Sequence, residues 1–179
     1  LRSLRSLGRA SIFSRRMEDV TRQFPDIVAM VKENIKAKQC IIEGEALAID
    51  AATHKPLPFQ MLSRRIQRKY DIEKTVKEIP VQVNLFELLY LDGISLMEEP
   101  FEKRWNALKK IVRETKTFRL ADHIETKDFN EADKFYKSAL AAGQEGVIVK
   151  NLEARYQPGK RVGFWLKVKQ ILEPLDLVI

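Results

Sequence analysis

CIIEGEALAID, residues 40–50, alternates with a period of two. Ile41, Glu43, Glu45, Leu47 and Ile49 fall on one side, so a strand here sets two carboxylates into an otherwise apolar face. Two readings fit: a strand end where both acids reach water, or a face that lines a site. Gly44 between the acids favours the second, because glycine inside a strand marks close approach by a ligand or another backbone.

Outward from this strand, the period changes back and forth. Residues 81–91, 117–120, 146–151 and 164–168 also read as strands. Helical spacing appears at 25–37, where Ile27, Val28, Val31 and Ile35 form a stripe behind Pro25. It returns at 59–70 through Phe59, Leu62 and Ile66, and at 100–114 through Phe101, Trp105, Leu108 and Val112. A fourth helix is expected over 131–142, with Asn130 as its cap and Gly143 as its stop. LDG at 91–93 and YQPGKR at 156–161 are turn or loop signals. Strands and helices mix without a regular βαβ beat, which predicts an α+β fold. Residues 1–10, LRSLRSLGRA, repeat Leu-Arg-Ser and predict an irregular start, a frayed helix or sequence foreign to this position. The folded domain is expected over 11–179. Because LEPLDLVI is still building strand character at Ile179, the chain is expected to have been cut from a longer one.

The 179 residues are 45% hydrophobic and 32% charged, enough for one sizeable core. No apolar run reaches the length of a membrane span, so no membrane partner is expected. Cys40 is the single cysteine, which excludes an internal disulfide and suits a reducing compartment. His54 and His123 alone cannot build a histidine-rich metal centre, so any metal is a hard cation on carboxylates. The net charge of +7 is clustered. Arg2, Arg5, Arg9, Arg15 and Arg16 stand without an acid in the first sixteen positions. Arg64, Arg65, Arg68 and Lys69 form a second group, and Lys150, Arg155, Lys160, Arg161, Lys167 and Lys169 a third. Such patches fit a polyanionic partner, nucleic acid first, or else a solvated surface.

Three further stretches carry chemistry. VNLFELLYLDG (83–93) puts Asn84, Phe86, Leu88 and Tyr90 on one face, with Phe86 either core or a platform for a planar base. In QEGVIVKN (144–151), Glu145 beside Gly146 suits a metal or a hydroxyl, or an ordinary turn. In GFWLKVKQ (163–170), Trp165, Lys167 and Lys169 share a face. Two ammonium groups in neighbouring register repel unless water screens them or an anion sits between them. A phosphate chain, with carboxylates nearby to hold its Mg2+ (or Mn2+), meets that requirement.

The order of the blocks FSRRMEDVT, EGEALAID, PFQMLSRR, LFELLYLDG, EGVIVK and WLKVK resembles the nucleotidyltransferase (adenylation) domain of ATP-dependent DNA ligases. It is most similar to the replicative ligases of archaea and their eukaryotic relatives. The resemblance covers residues 11–179. It implies packed antiparallel sheets flanked by helices with ATP between the sheets, and a three-step reaction. A lysine takes AMP from ATP, the AMP passes to the 5′-phosphate of nicked double-stranded DNA, and the 3′-OH displaces it. On this resemblance, Arg15 binds ribose or phosphate, Glu45 holds the ribose hydroxyls, and Phe86 stacks on adenine. Glu145 helps place the metal, with Glu45 as a further candidate ligand. Arg161, Lys167 and Lys169 contact phosphate, and the two lysines take the catalytic role of neutralising the α-phosphate. RNA ligases and mRNA-capping enzymes are the alternative within the same superfamily. A binding module that takes up ATP or DNA without catalysis is the alternative outside it.

The departures are specific. The K-x-D-G block with the nucleophilic lysine is expected before FSRR, and LRSLRSLGRA does not resemble the strand that follows it, so the chain is expected not to adenylate itself. KYDI (69–72) lacks the glycine and lies out of order, so it reads as a solvated helix end. The DNA-binding and OB-fold domains of such ligases, and the regions through which a sliding clamp is met, are expected outside these residues.

Overall fold

The computed structural model describes residues 2–6, 8–68, 70–159 and 163–169, the first stretch as backbone only. Its main sheet holds β1 (Arg2–Ser6), β2 (Arg9–Phe13), β3 (Gln39–Ala48), β4 (Val81–Leu91) and β5 (Ile94–Ser95). Their spatial order is β2-β1-β3-β4-β5, with every neighbouring pair antiparallel, and β6 (Phe118–Leu120) joins β4 in parallel. A second, two-stranded sheet pairs β7 (Gly146–Lys150) with β8 (Trp165–Lys169). The helices are α1 (Pro25–Asn34), α2 (Phe59–Gln67), α3 (Ile72–Glu78), α4 (Phe101–Ile111) and α5 (Phe129–Ala141). The expected α+β class with antiparallel sheets flanked by helices is found, with parallel β6 added. No helix among the described residues is long and apolar enough to cross a membrane.

The opening residues differ from expectation. Arg2–Ser6 is a strand bonded to β2 on one side and β3 on the other. The sheet takes up backbone donors and acceptors that a frayed segment would leave to water. A three-residue Leu-Arg-Ser repeat carries no period of two, so pattern reading misses it.

In β3 the alternation holds. Cys40, Ile42, Gly44, Ala46 and Ala48 are buried, whereas Glu43 is half-buried and Glu45 exposed on the opposite face. A Cβ on Gly44 would lie 2.9 Å from the Asn84 carbonyl oxygen, so strand packing alone requires the glycine. In β4 the alternation breaks. The register shifts between Ile41 and Ile42 and between Glu43 and Gly44, leaving Leu89 and Phe86 as extra residues on β4. Leu88, expected beside Phe86 and Tyr90, therefore turns into the core, while those two remain half-buried.

Ile27 and Val31 of α1, Trp105 and Leu108 of α4, and Ile12, Ile42, Val83, Leu88 and Phe118 of the sheet form one core. The boundaries shift where tertiary contacts intervene. After Asn34 the chain leaves α1 so that Ile35 can bridge Val112. Helix α2 stops at Gln67, and Asp71 in KYDI takes a φ of 53° to start α3. Lys69 lies outside the described residues. The cap of α5 is Asp128, whose side chain accepts from the Asn130 amide, two residues before the expected cap. Gly143 stops the helix as expected, with a φ of 80°.

Two arginines leave the surface. Arg65, read with the second basic cluster, is 1% exposed. It donates to the carbonyls of Gln23 and Ile79, pairs with Asp26 and lies over the Phe24 ring. Arg104 of α4 meets Glu87 of β4 in a two-pronged pair at 2.8 and 3.0 Å, both side chains 0% exposed. It also donates to the Glu99 carbonyl, and at 3.0 Å to the Ala154 carbonyl in the loop between β7 and β8.

Two consequences are measurable. Arg104→Met strands the Glu87 carboxylate, so urea denaturation is expected to show a loss of roughly 3–5 kcal/mol. Adding Glu87→Leu is expected to recover most of that loss. At Gly146, with a φ of 149°, a Cβ would lie 2.0 Å from the Val168 carbonyl oxygen. Gly146→Ala is therefore expected to speed amide exchange across β7 and β8 while leaving β3 protected.

Candidate functional site

The two sheets meet at Lys150. It ends β7 opposite Trp165 of β8, and its Nζ donates to the Phe86 carbonyl at 3.1 Å. The same nitrogen lies 4.0 Å from the Trp165 ring centroid, 4.2 Å from Phe101 and 5.0 Å from Phe86. Trp165 stands edge-on to Phe101 and Tyr156, at 6.3 and 6.4 Å. The Tyr156 hydroxyl donates to Glu43 at 3.0 Å, tying the loop before β8 back to β3. Burial pushes the Lys150 ammonium down to about 8, with Arg104 adding to the shift and Glu87 and Glu43 opposing it. A lysine lowered in this way is the usual profile of a nucleophile. This one is enclosed by three ring faces and bonded to a carbonyl, so it is not free to attack.

Along β7 and β8 from this joint, register places Ile148 opposite Lys167 and Gly146 opposite Lys169, on the same face as Lys150 and Trp165. Lys167 donates to Glu145 at 2.7 Å, both side chains exposed. That hydrogen bond and the positive charge of Lys167, reinforced by Lys169, hold the Glu145 carboxyl below the ordinary range. The paired lysines thus have a carboxylate as their resident counter-ion, and a multiply charged anion would compete with it. An exposed ion pair of this kind is weak enough to exchange.

Of the expected residues, Glu145, Lys167 and Lys169 come together on the small sheet. Glu45 pairs in register with Asn84, two residues from Phe86, on the main sheet. Phe86 is joined to the small sheet through Lys150. Arg15 stands exposed in the turn after β2, closed by the Ser14 and Glu18 hydrogen bonds, and makes no ion pair among the described residues. Arg161 lies outside the described residues. No group of three His, Cys, Asp or Glu side chains gathers among the described residues. Glu45 and Glu145 are nonetheless exposed hard oxygen donors. Carboxylate oxygens of this kind are donors that Mg2+ takes one or two at a time, together with water and phosphate oxygens.

The sequence placed Lys150 in a basic cluster suited to a polyanionic partner or to solvent, and did not single out Glu87, Arg104 or Tyr156. One signal was available: a lysine closing the apolar run Val147–Val149 is badly placed for solvent unless something receives its charge.

The family model described as ATP dependent DNA ligase domain matches residues 3–169. A DNA ligase of Nanoarchaeum equitans is 50% identical over 169 residues, which is 94% of this chain and 30% of that protein. A DNA ligase of Thermococcus onnurineus is 45% identical over 171 residues, 96% of this chain and 30% of that protein. The chain thus spans about 30% of the length of these relatives. Among solved structures, the ligase domain of LigD from M. tuberculosis superposes with a TM-score of 0.70 at 27% identity, covering 94% of this chain and 50% of that one. A mycobacterial DNA ligase D complexed with ATP and MES gives 0.69 at 27% identity, with the same coverage. The match runs from β1 to the end of β8 and so contains both sheets and the joint at Lys150. The chain belongs to the ATP dependent DNA ligase domain family.

Proposed function

We propose that this chain is the nucleotide-binding part of a DNA ligase that seals nicks in duplex DNA, the closing step of replication, repair and recombination. The observation that carries the reading is the joint at Lys150. It sets the Phe86 platform of the main sheet against a small sheet bearing Glu145, Lys167 and Lys169. Adenine stacks on Phe86, and the Glu45 carboxylate accepts from the ribose hydroxyls. Arg15 reaches ribose or phosphate. Arg161, Lys167 and Lys169 take the phosphates.

The Glu145–Lys167 pair has a part in this scheme. When ATP arrives, phosphate oxygens replace Glu145 as the acceptor for Lys167, which leaves the carboxylates of Glu145 and Glu45 as the groups that would hold a divalent cation, Mg2+ or Mn2+. Such a cation, when bound, would shield charge on the phosphates. As a lysine nitrogen bonds to the α-phosphorus and the bond to pyrophosphate breaks, Lys167 and Lys169 stabilise the growing charge. AMP then passes to the 5′-phosphate of nicked DNA and is displaced by the 3′-OH. A sliding clamp is the partner expected through other regions of such a ligase.

Residues 1–179 contain no K-x-D-G block. The polypeptide is therefore expected to bind ATP and form no lysyl–AMP. Incubation with α-labelled ATP and Mg2+ tests this, and label surviving denaturation refutes it. Lys167→Ala is expected to weaken ATP binding about tenfold or more, the loss of one charge-assisted hydrogen bond. Unchanged affinity by calorimetry counts against the phosphate assignment.

A further inference from the structure

We infer that Lys150 is a positioning residue, a cationic latch that fixes the Phe86 ring and holds the small sheet at one distance from the main sheet. The inference deepens the nucleotide-site reading and rests on it for the meaning of Phe86. Its grounds are geometric. One nitrogen touches three elements: the Phe86 carbonyl and ring on β4, the Phe101 ring on α4, and the Trp165 ring on β8. Phe86 is an extra residue in its strand, so the regular ladder with β3 does not fix it. A donor on its carbonyl and a cation beside its ring supply that restraint.

A neutral apolar side chain of the same length would fill the space and pack as well, yet it would offer the carbonyl no donor and the rings no charge. The charge is kept at a cost. Burial lowers the ammonium, while the charged groups facing it are Glu87 on β4, Arg104 on α4 and Glu43 on β3, the last also bonded to the Tyr156 hydroxyl. Glu87 is already engaged by Arg104. Lys150 itself makes no ion pair among the described residues, so ring faces and a carbonyl receive its charge.

The cost and the role move in opposite directions with pH. The folded-state value, about 8, lies below the unfolded 10.5, so between them the unfolded chain binds a proton that the folded chain has lost. Stability from this group therefore rises with pH across that window. The latch is charged below the window and neutral within it, so ATP affinity falls as pH passes 8.

The test uses the 179-residue chain, ATP calorimetry at pH 7 and pH 9, urea denaturation and amide hydrogen exchange. Lys150→Met is expected to keep or raise stability at pH 7, to weaken ATP binding about tenfold, and to speed exchange in β7 and β8. Wild-type affinity is expected to fall toward the variant's at pH 9, and the variant is expected to lack the wild-type rise in stability. Phe86→Ala separates the two readings. If it weakens ATP binding and Lys150→Met does not, the latch is overturned and the nucleotide site stands. If Phe86→Ala leaves binding unchanged, the nucleotide site falls, and unaltered exchange in Lys150→Met then overturns the latch as well. Should Lys150→Met fail to fold, Lys150→Arg carries the test. Its permanent cation is expected to give an affinity that does not change from pH 7 to pH 9, and a wild-type pH dependence refutes the proposal.

Discussion

Arg104 extends from α4 to Glu87 of β4 at a place where neither side chain touches water. Each charge there is tolerable only because the other is present, and any arrangement that separates them leaves an ion without solvent or partner. The pair therefore selects one seating of α4 on the sheet more than it adds net stability. Its remaining donors go to backbone: the Glu99 carbonyl before α4 and the Ala154 carbonyl between β7 and β8. A single guanidinium thus fixes a strand, a helix and the loop that carries the second sheet.

The geometry of the site descends from that contact. The docked loop bonds its Tyr156 amide to the Met97 carbonyl, and the Leu152 carbonyl accepts from the Glu102 amide. Trp165 then packs on Phe101 and closes the space around Lys150. Phe86, immediately before Glu87 in the sequence, is presented to the same space by the irregularity in β4. Polar groups buried together in this way reinforce one another, because the low local dielectric penalises every partial arrangement. The exposed charged groups Glu145, Lys167 and Lys169 project from a small sheet whose position the interior has already set.

Much of this was legible in the sequence. The period of two in residues 40–50 carried through to β3, and its face of Glu43 and Glu45 is the less buried one. Glu145, Lys167 and Lys169 were named singly from the resemblance, and the pairing of β7 with β8 brings them onto one small sheet. Elsewhere local pattern was silent or misleading. A three-residue repeat hid β1, whose place is decided by its hairpin partner β2 and by β3 far along the chain. The face of β4 was misassigned at Leu88, because a strand irregularity depends on the partner's register and leaves no mark on its own alternation. Arg65 looked like part of a cationic surface, yet Gln23, Asp26 and Ile79 enclose it.

The sequence by itself determined β3, β4, β6, β7 and β8, the helices α1, α2, α4 and α5, the class of fold and the family, since these follow from periodicity and from the order of short blocks along the chain, whereas β1, β2, β5 and α3 left no such pattern. The tertiary structure alone decided which charges are surface and which are interior. Lysine and arginine look alike in composition whether they meet water, a carboxylate or an aromatic face. Only the folded chain sets Lys150 among three rings and Arg104 against Glu87, because the groups that receive those charges come from strands and helices far apart in sequence.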